Sequence, residues 1–163
     1  MEAPLARYWL TAHWPPLIKN PNDTLNVYIQ DQFKEVVETM RPDDRVLIYE
    51  VATGPSARVR EQGTVVLSER QVGAQAIICD ARVATELHER PGYIPEEFDG
   101  RGVKNYKWQA LTDDRRKLWV LRASVNGVFD WGDGHNFHGF NHGRGIREIS
   151  LAAYTALLHC SGV

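Results

Sequence analysis

Three imidazoles fall within eight residues in the stretch Gly134-His135-Asn136-Phe137-His138-Gly139-Phe140-Asn141-His142. Such a cluster, with His159 or Cys160, could ligate a metal, because imidazole and thiolate are common zinc donors. No carboxylate or cysteine completes a ligand spacing here, so no metal is assigned. The stretch reads better as a binding loop. Glycine lets backbone approach a ligand closely, Asn136 offers an amide, His138 offers a ring nitrogen, and Phe137 and Phe140 offer stacking faces. The five tryptophans divide in two groups. Trp9 and Trp119 lie inside apolar, strand-like runs and are assigned to the core. Trp14 follows a strand end beside His13 and precedes Pro15-Pro16, and Trp131 stands between Asp130 and Gly132. Aromatics on loops beside polar groups can stack on a base.

Groups that could turn over a substrate are scarce. The chain has no Gly-x-Ser-x-Gly, no His-Glu-x-x-His and no phosphate-binding glycine loop. Glu96-Glu97 and Asp113-Asp114 lie in charged, solvated stretches. Cys79 falls mid-strand and Cys160 on an apolar terminal helix, and neither setting activates a thiol. Asp130 and Asp133 are the only acids near the His segment. No residue is assigned as catalytic, and no cofactor is called for.

These residues need elements to position them. Arg7–Ala12 reads as a strand stopped by Pro15-Pro16, and 15–26 as a loop. Phe33, Val36, Val37 and Met40 form one stripe of a helix over roughly 30–40, broken at Arg41-Pro42. Val46–Val51 is a buried strand, 64–67 and 75–85 are two more, and 88–116 is a long polar excursion. Leu118–Val125 is a further strand closed by a tight turn at Asn126-Gly127. Ser150 caps a last helix with Ala153, Tyr154, Leu157 and Leu158 on its apolar face. Strand, helix, several strands, helix is the order of an α+β fold around a mostly antiparallel or closed sheet of five or six strands.

With 163 residues, 43% hydrophobic and 25% charged, the chain is expected to form a single domain over 1–163. Two cysteines cannot make a disulfide framework. No apolar run is long enough for a membrane span, and Met1-Glu2-Ala3-Pro4 does not start like a signal peptide. The expected location is cytoplasmic, with no membrane partner. The net charge of −2 hides a split: residues 1–100 carry −6 and residues 101–147 carry +5. A basic late segment on an acidic body suits an anionic ligand.

Four stretches together resemble EVE domains of the PUA-like superfamily, related to YTH and ASCH domains. Arg7-Tyr8-Trp9-Leu10 resembles the opening strand. Met40-Arg41-Pro42-Asp43-Asp44-Arg45-Val46-Leu47-Ile48-Tyr49 resembles the family's helix end, Pro-Gly-Asp turn and second strand, with Asp43 in place of the glycine. Trp131 and the segment ending at Phe140 resemble its late loop. Gly145-Ile146-Arg147-Glu148-Ile149-Ser150 with Tyr154 and Leu158 resembles its closing strand and helix. Residues 88–116 match no part of it.

The resemblance implies a pseudo-barrel that binds nucleic acid, DNA in preference to RNA, with a modified base turned into an aromatic pocket. It also implies a context of modification-dependent restriction, with a nuclease encoded or acting alongside as a candidate partner. On this reading Trp14, Trp131 and Phe137 wall the pocket, His13, Tyr28, Asn136 and His138 contact the base, and Arg58, Lys104, Lys107 and Arg144 contact phosphates. The alternatives are an ASCH-like enzyme on RNA or nucleosides, which needs a catalytic Lys, Asp or Glu in the cleft, and an RNA-binding or pure interaction module.

Overall fold

The computed structural model describes residues 5–18, 25–93, 96–98, 102–128 and 145–161, with backbone alone at 60, 96–98 and 102–104. In chain order the elements are β1 (Tyr8–His13), β2 (Val27–Ile29), a 3-10 helix (Asp31–Val37), β3 (Arg45–Glu50), β4 (Ala57–Glu61), β5 (Thr64–Ser68), β6 (Ala76–Val83), β7 (His88–Glu89), β8 (Glu96–Phe98), β9 (Gly102–Lys104), β10 (Trp108–Ala110), β11 (Thr112–Leu121), α1 (Arg122–Val128), β12 (Ile146–Ile149) and α2 (Leu151–Cys160).

A five-stranded sheet runs in the order β11-β6-β3-β1-β12. Only β1 and β3 are parallel; the other three pairings are antiparallel. The class is α+β with a mostly antiparallel sheet. A second sheet, β2-β10-β7, and the hairpins β4-β5 and β8-β9 complete the strands described.

Side chains of a strand alternate between faces, and this splits the core in two. Trp9, Val46, Ile48, Cys79, Ala81 and Ile146 meet Val27, Ile29 and Ala110 of the second sheet, together with Val37 and Met40. Leu10, Leu47, Tyr49, Ile77, Leu118 and Val120 meet Val125 of α1 and Tyr154 and Leu157 of α2. Ile77 and Cys79 are two apart yet belong to opposite faces. The register shift between Ile48 and Tyr49 leaves Ile78 as an extra residue and reverses the alternation.

Two buried carboxylates fasten this frame. Asp44, 3% exposed, accepts the backbone N–H groups of Arg7 (2.9 Å) and Arg41 (3.0 Å) and the indole N–H of Trp9 (3.0 Å). Asp43 before it sits at φ 78°, a left-handed conformation that glycine adopts without cost. Asp80 is fully buried. Its carboxylate accepts from Arg45 Nε (3.1 Å), Arg116 Nη2 (2.7 Å) and the Tyr154 hydroxyl (2.9 Å). Burial works against the Arg45 charge, but the hydrogen bond and charge of Asp80 outweigh it and hold its pKa above the ordinary value. Burial, then the Asp80 charge, pushes the Tyr154 hydroxyl up.

Several expectations are corrected. The apolar stripe Phe33, Val36, Val37, Met40 does pack on the core, but as a 3-10 helix over 31–37 rather than an α-helix over 30–40. Its N-cap, Gln30, makes no side-chain capping bond, and β-branched Val36-Val37 lowers the α-helix propensity of its last turn. Residues 88–116 are not an unstructured excursion; they contain β7 to β10 and the start of β11. β4 was not foreseen, and its turn onto β5 places Gln62 (φ 51°) and Gly63 (φ 79°) in the geometry that suits a two-residue hairpin. Asn126-Gly127 is not a strand-closing turn. The strand ends at Leu121, and burying Val125 against α2 draws 122–128 into α1. Trp119 is not core but 58% exposed, because its neighbours Leu118 and Val120 take the core face of edge strand β11. Cys160 is exposed, while Cys79 is buried and its thiol is pushed up by that burial. Ser150 does cap α2, its side chain accepting the Ala153 N–H at 3.1 Å.

Candidate nucleic-acid interface

The end of the sheet where β1 finishes gathers the aromatics. His13 pairs with Glu50, and Glu50 with Ala76, so these strand ends form one rim. Gly145, the first residue after the late Gly/His segment, joins the rim: its carbonyl accepts the Ala12 N–H (2.8 Å) and the Thr11 hydroxyl (3.0 Å). Gly145 has φ 68°.

From this rim a circuit of ring contacts runs through the second sheet and back. The His13 ring lies 6.0 Å from Tyr28. The Arg90 guanidinium lies 4.7 Å from the Tyr28 ring centroid and 4.5 Å from that of Tyr93. The Tyr93 hydroxyl accepts the Tyr106 N–H at 2.8 Å, and Arg90 Nη1 donates to the Tyr106 carbonyl at 3.2 Å. Tyr106 meets Trp14 edge-on at 5.8 Å and 78°, and Trp14 adjoins His13 in the chain. All six side chains are half-buried.

Trp14 is held on further sides. The Arg70 guanidinium lies 4.9 Å from its ring and is fixed by the carbonyls of Pro55 (2.7 Å) and Pro15 (2.9 Å). Gly54 packs so closely that a Cβ there would lie 2.8 Å from Trp14 Cγ and 2.7 Å from Arg70 Cδ. The turn after β3 therefore needs glycine to admit the indole. These contacts hold Trp14 on several sides, and a stacking surface held in place loses less entropy on binding.

The sequence-predicted site residues divide as follows. His13, Trp14 and Tyr28 come together at the rim. Trp131, Asn136, Phe137, His138 and Arg144 lie outside the described residues, as do His135, His142, Asp130 and Asp133. Lys104 lies in β9, opposite Glu96. Lys107 precedes β10, next to Tyr106, and its ammonium pairs with Glu89 at 3.2 Å. Arg58 is exposed on β4, opposite Leu67. Sequence reasoning missed Arg70, Arg90, Tyr93 and Tyr106. Tyr93 and Tyr106 are large aromatics in an otherwise polar run, and that is the signal that could have found them.

Among the described residues no group of three His, Cys, Asp or Glu could hold a metal ion. None of the described helices is long and apolar enough to cross a membrane. A cavity of about 390 Å³ lies at the opposite end of the sheet, lined by Leu5, Ala6, Arg7, Thr39, Arg41 and Asp44. The Asp44 carboxylate in it is already committed to three N–H donors, so the cavity presents no unspent acid.

No protein-family model matches this chain, and no curated protein does. Among solved structures, the chain is similar to the NMR structure of Rpa0253 from Rhodopseudomonas palustris, a structural genomics target. The TM-score is 0.52 at 13% sequence identity, over 96% of this chain and 94% of that one. At that identity the likeness speaks for the fold alone: the arrangement described here recurs over nearly the full length of another protein.

Proposed function

We propose that this chain is a PUA-like, EVE-type reader that binds nucleic acid, DNA in preference to RNA, and holds a modified base flipped into the rim between β1 and the second sheet. A methylated or hydroxymethylated cytosine or a methylated adenine is the class of base it takes. The observation that carries this is the circuit His13, Tyr28, Arg90, Tyr93, Tyr106, Trp14. It sets half-buried rings and a planar guanidinium around one rim, with His13 and Tyr28 offering polar edges. Extruding a base costs a few kcal/mol, and stacking returns ~1–3 kcal/mol per base. Selectivity then rests on contacts to the base edge and around the modification. A domain of this kind would act beside a nuclease of a modification-dependent restriction system.

The test is a panel of single-stranded and duplex oligonucleotides, DNA and RNA, each with one modified base. Binding is followed by fluorescence anisotropy and thermal shift, and recovered nucleosides are analysed by mass. Tighter binding of one modified base than of its parent, with the base recovered unchanged, supports the reading. Equal binding of modified and parent bases overturns it. Conversion of the base, lost in His138→Ala or Asp133→Ala, would make the chain an enzyme instead.

A further inference from the structure

The register of the second sheet lines up three polar side chains that the aromatic circuit does not use fully. Val27, Ile29 and Ala110 face the apolar core. By alternation Tyr28 and Gln109 stand on the other face, and they are directly paired across β2 and β10; Gln109 is in turn paired with His88 of β7. Directly opposite residues have Cβ atoms about 5 Å apart. Tyr28, Gln109 and His88 thus form one row across the sheet, all half-buried, and the row continues the rim through the His13–Tyr28 contact.

The hydrogen bonds fix what this row presents. His88 Nδ1 lies 2.9 Å from the Glu86 carbonyl oxygen. A carbonyl can only accept, so Nδ1 carries the proton and Nε2 of the neutral ring is an acceptor. Gln109 Nε2 lies 3.0 Å from that Nε2, so the amide must turn its NH2 group to His88. The side chain is therefore held in one of its two amide orientations. Among the described residues, Gln109 Oε1 and its second N–H have no protein partner. What remains is an oriented amide with an acceptor and a donor side by side, next to an aromatic ring.

We infer that Gln109 reads the amino edge of the bound base, Oε1 accepting from the exocyclic N–H and Nε2 donating to the neighbouring ring nitrogen, with His88 as the residue that sets the amide's orientation. Adenine and cytosine, and their derivatives methylated at carbon or singly at the amino group, bring such a donor–acceptor pair. Replacing the amine by a carbonyl puts an acceptor against Oε1. This is the pairing an amide makes with adenine in a groove, here placed beside a stacking ring. The inference rests on the base-reading proposal and adds to it the chemical class of base.

The experiment uses the full chain and single-stranded DNA 12-mers that differ in one central base. The pairs are adenine against hypoxanthine and 5-methylcytosine against thymine, so each pair exchanges an amine for a carbonyl and the two pairs distinguish purine from pyrimidine. Wild type should bind the amino member of one pair about tenfold more tightly. Gln109→Leu should bring that ratio to near one while stacking still supports binding. His88→Phe, which packs but cannot accept, should lower the ratio, whereas a merely structural role would weaken both members alike. Should Gln109→Leu not fold, Gln109→Glu keeps the volume and an acceptor but loses the donor, and should also lower the ratio. A wild-type ratio near one, or a ratio unchanged in folded Gln109 variants, overturns the inference while leaving modified-base binding standing. If no 12-mer binds wild type, the inference falls, and the wider panel of duplexes, RNA and other modified bases decides the base-reading proposal.

Discussion

Arg45 and Arg90 are both half-buried guanidinium groups, yet their surroundings differ in kind. Arg45 faces carboxylates: Asp80, fully buried, and Asp114. Around Asp80 the Arg45, Arg116 and Tyr154 donors supply what its oxygens lost on leaving water, and the acid links β3, β6, β11 and α2. Arg90 instead lies against two tyrosine rings and one backbone carbonyl, and no carboxylate among the described residues pairs with it. The first arrangement is complete within the protein and serves the fold. The second leaves positive charge and flat apolar surface beside each other, which is what an anionic ligand with planar groups would meet.

The contrast is broken most sharply by deleting the two centres. Asp80→Ala removes the buried acid that joins two guanidinium groups and leaves the buried Tyr154 hydroxyl without its acceptor, and should cost ~3 kcal/mol. Arg90→Ala removes cation–π contacts and a hydrogen bond at a half-exposed place, and should cost ~1–2 kcal/mol. Urea unfolding of both variants checks this. Equal losses would mean that the aromatic rim is as much a part of the frame as Asp80.

Two tryptophans test the same division on the binding side. Trp14→Ala should weaken binding of a modified oligonucleotide by ~1–3 kcal/mol with the far-UV circular dichroism unchanged. Trp119, 58% exposed on an edge strand, makes no ring contact with the circuit, which lies on β1 and the second sheet. Trp119→Ala should alter stability by no more than ~0.5 kcal/mol and leave binding as it was. A binding loss at Trp119 matching that at Trp14 would move the interface to β11.

The Asp80 centre also has a pH signature. The Tyr154 pKa is raised above its ordinary 10.0 by burial and by the Asp80 charge. The folded state therefore keeps a proton that the unfolded chain releases as pH passes 10. Its contribution is fully present below that pH and is lost as pH rises through the folded value. Wild type should lose stability above about pH 10 more steeply than Tyr154→Phe. At pH 7 that variant should be ~1 kcal/mol less stable, having lost one hydrogen bond. Tyr49, raised by burial, keeps some slope in both proteins. Parallel curves would show that Tyr154 ionises as freely in the fold as outside it.

The frame was more legible in the sequence than the rim, for physical reasons. β1, β3, β6 and α2 are buried strongly on at least one side, so their apolar pattern is visible; the Asp43 turn showed itself as a residue standing where glycine is expected. β4, β7 and β10 bury little, and their Arg, Glu, His and Gln side chains look like loop composition, so Arg90 and Gln109 were hidden in a polar excursion. Trp119 shows the opposite failure. A tryptophan in a good strand looks like core, and only the parity set by Leu118 and Val120 turns it outward. His13 and Trp14 stood out because aromatic and imidazole groups at a strand end have few structural uses, whereas Tyr28, in the middle of β2, carries no such local mark. Tyr93 and Tyr106 carry the same signal, but closing the circuit needs a pairing between β2 and β10 that no local pattern announces.

The smallest expected effect concerns the path of the phosphates. Lys107 adjoins Tyr106 but pairs with Glu89 at 3.2 Å. Such a solvated pair contributes ~0–1 kcal/mol to stability, so either partner can be changed without loss of the fold. If Lys107 belongs to the phosphate track, Glu89 competes with the nucleic acid for it. Lys107→Gln should then weaken binding to any oligonucleotide, modified or not, and lower the slope of log affinity against log salt by ~0.7–0.9. Glu89→Gln should act with the opposite sign, strengthening binding a few-fold at low salt by removing the competing charge. The paired variants separate electrostatics from structure, because a lysine that only braces β10 would be hurt by both substitutions, while a phosphate contact gains from one and loses from the other. Unchanged slopes in both would exclude Lys107 from the track and leave Arg90 as the cation nearest the rings.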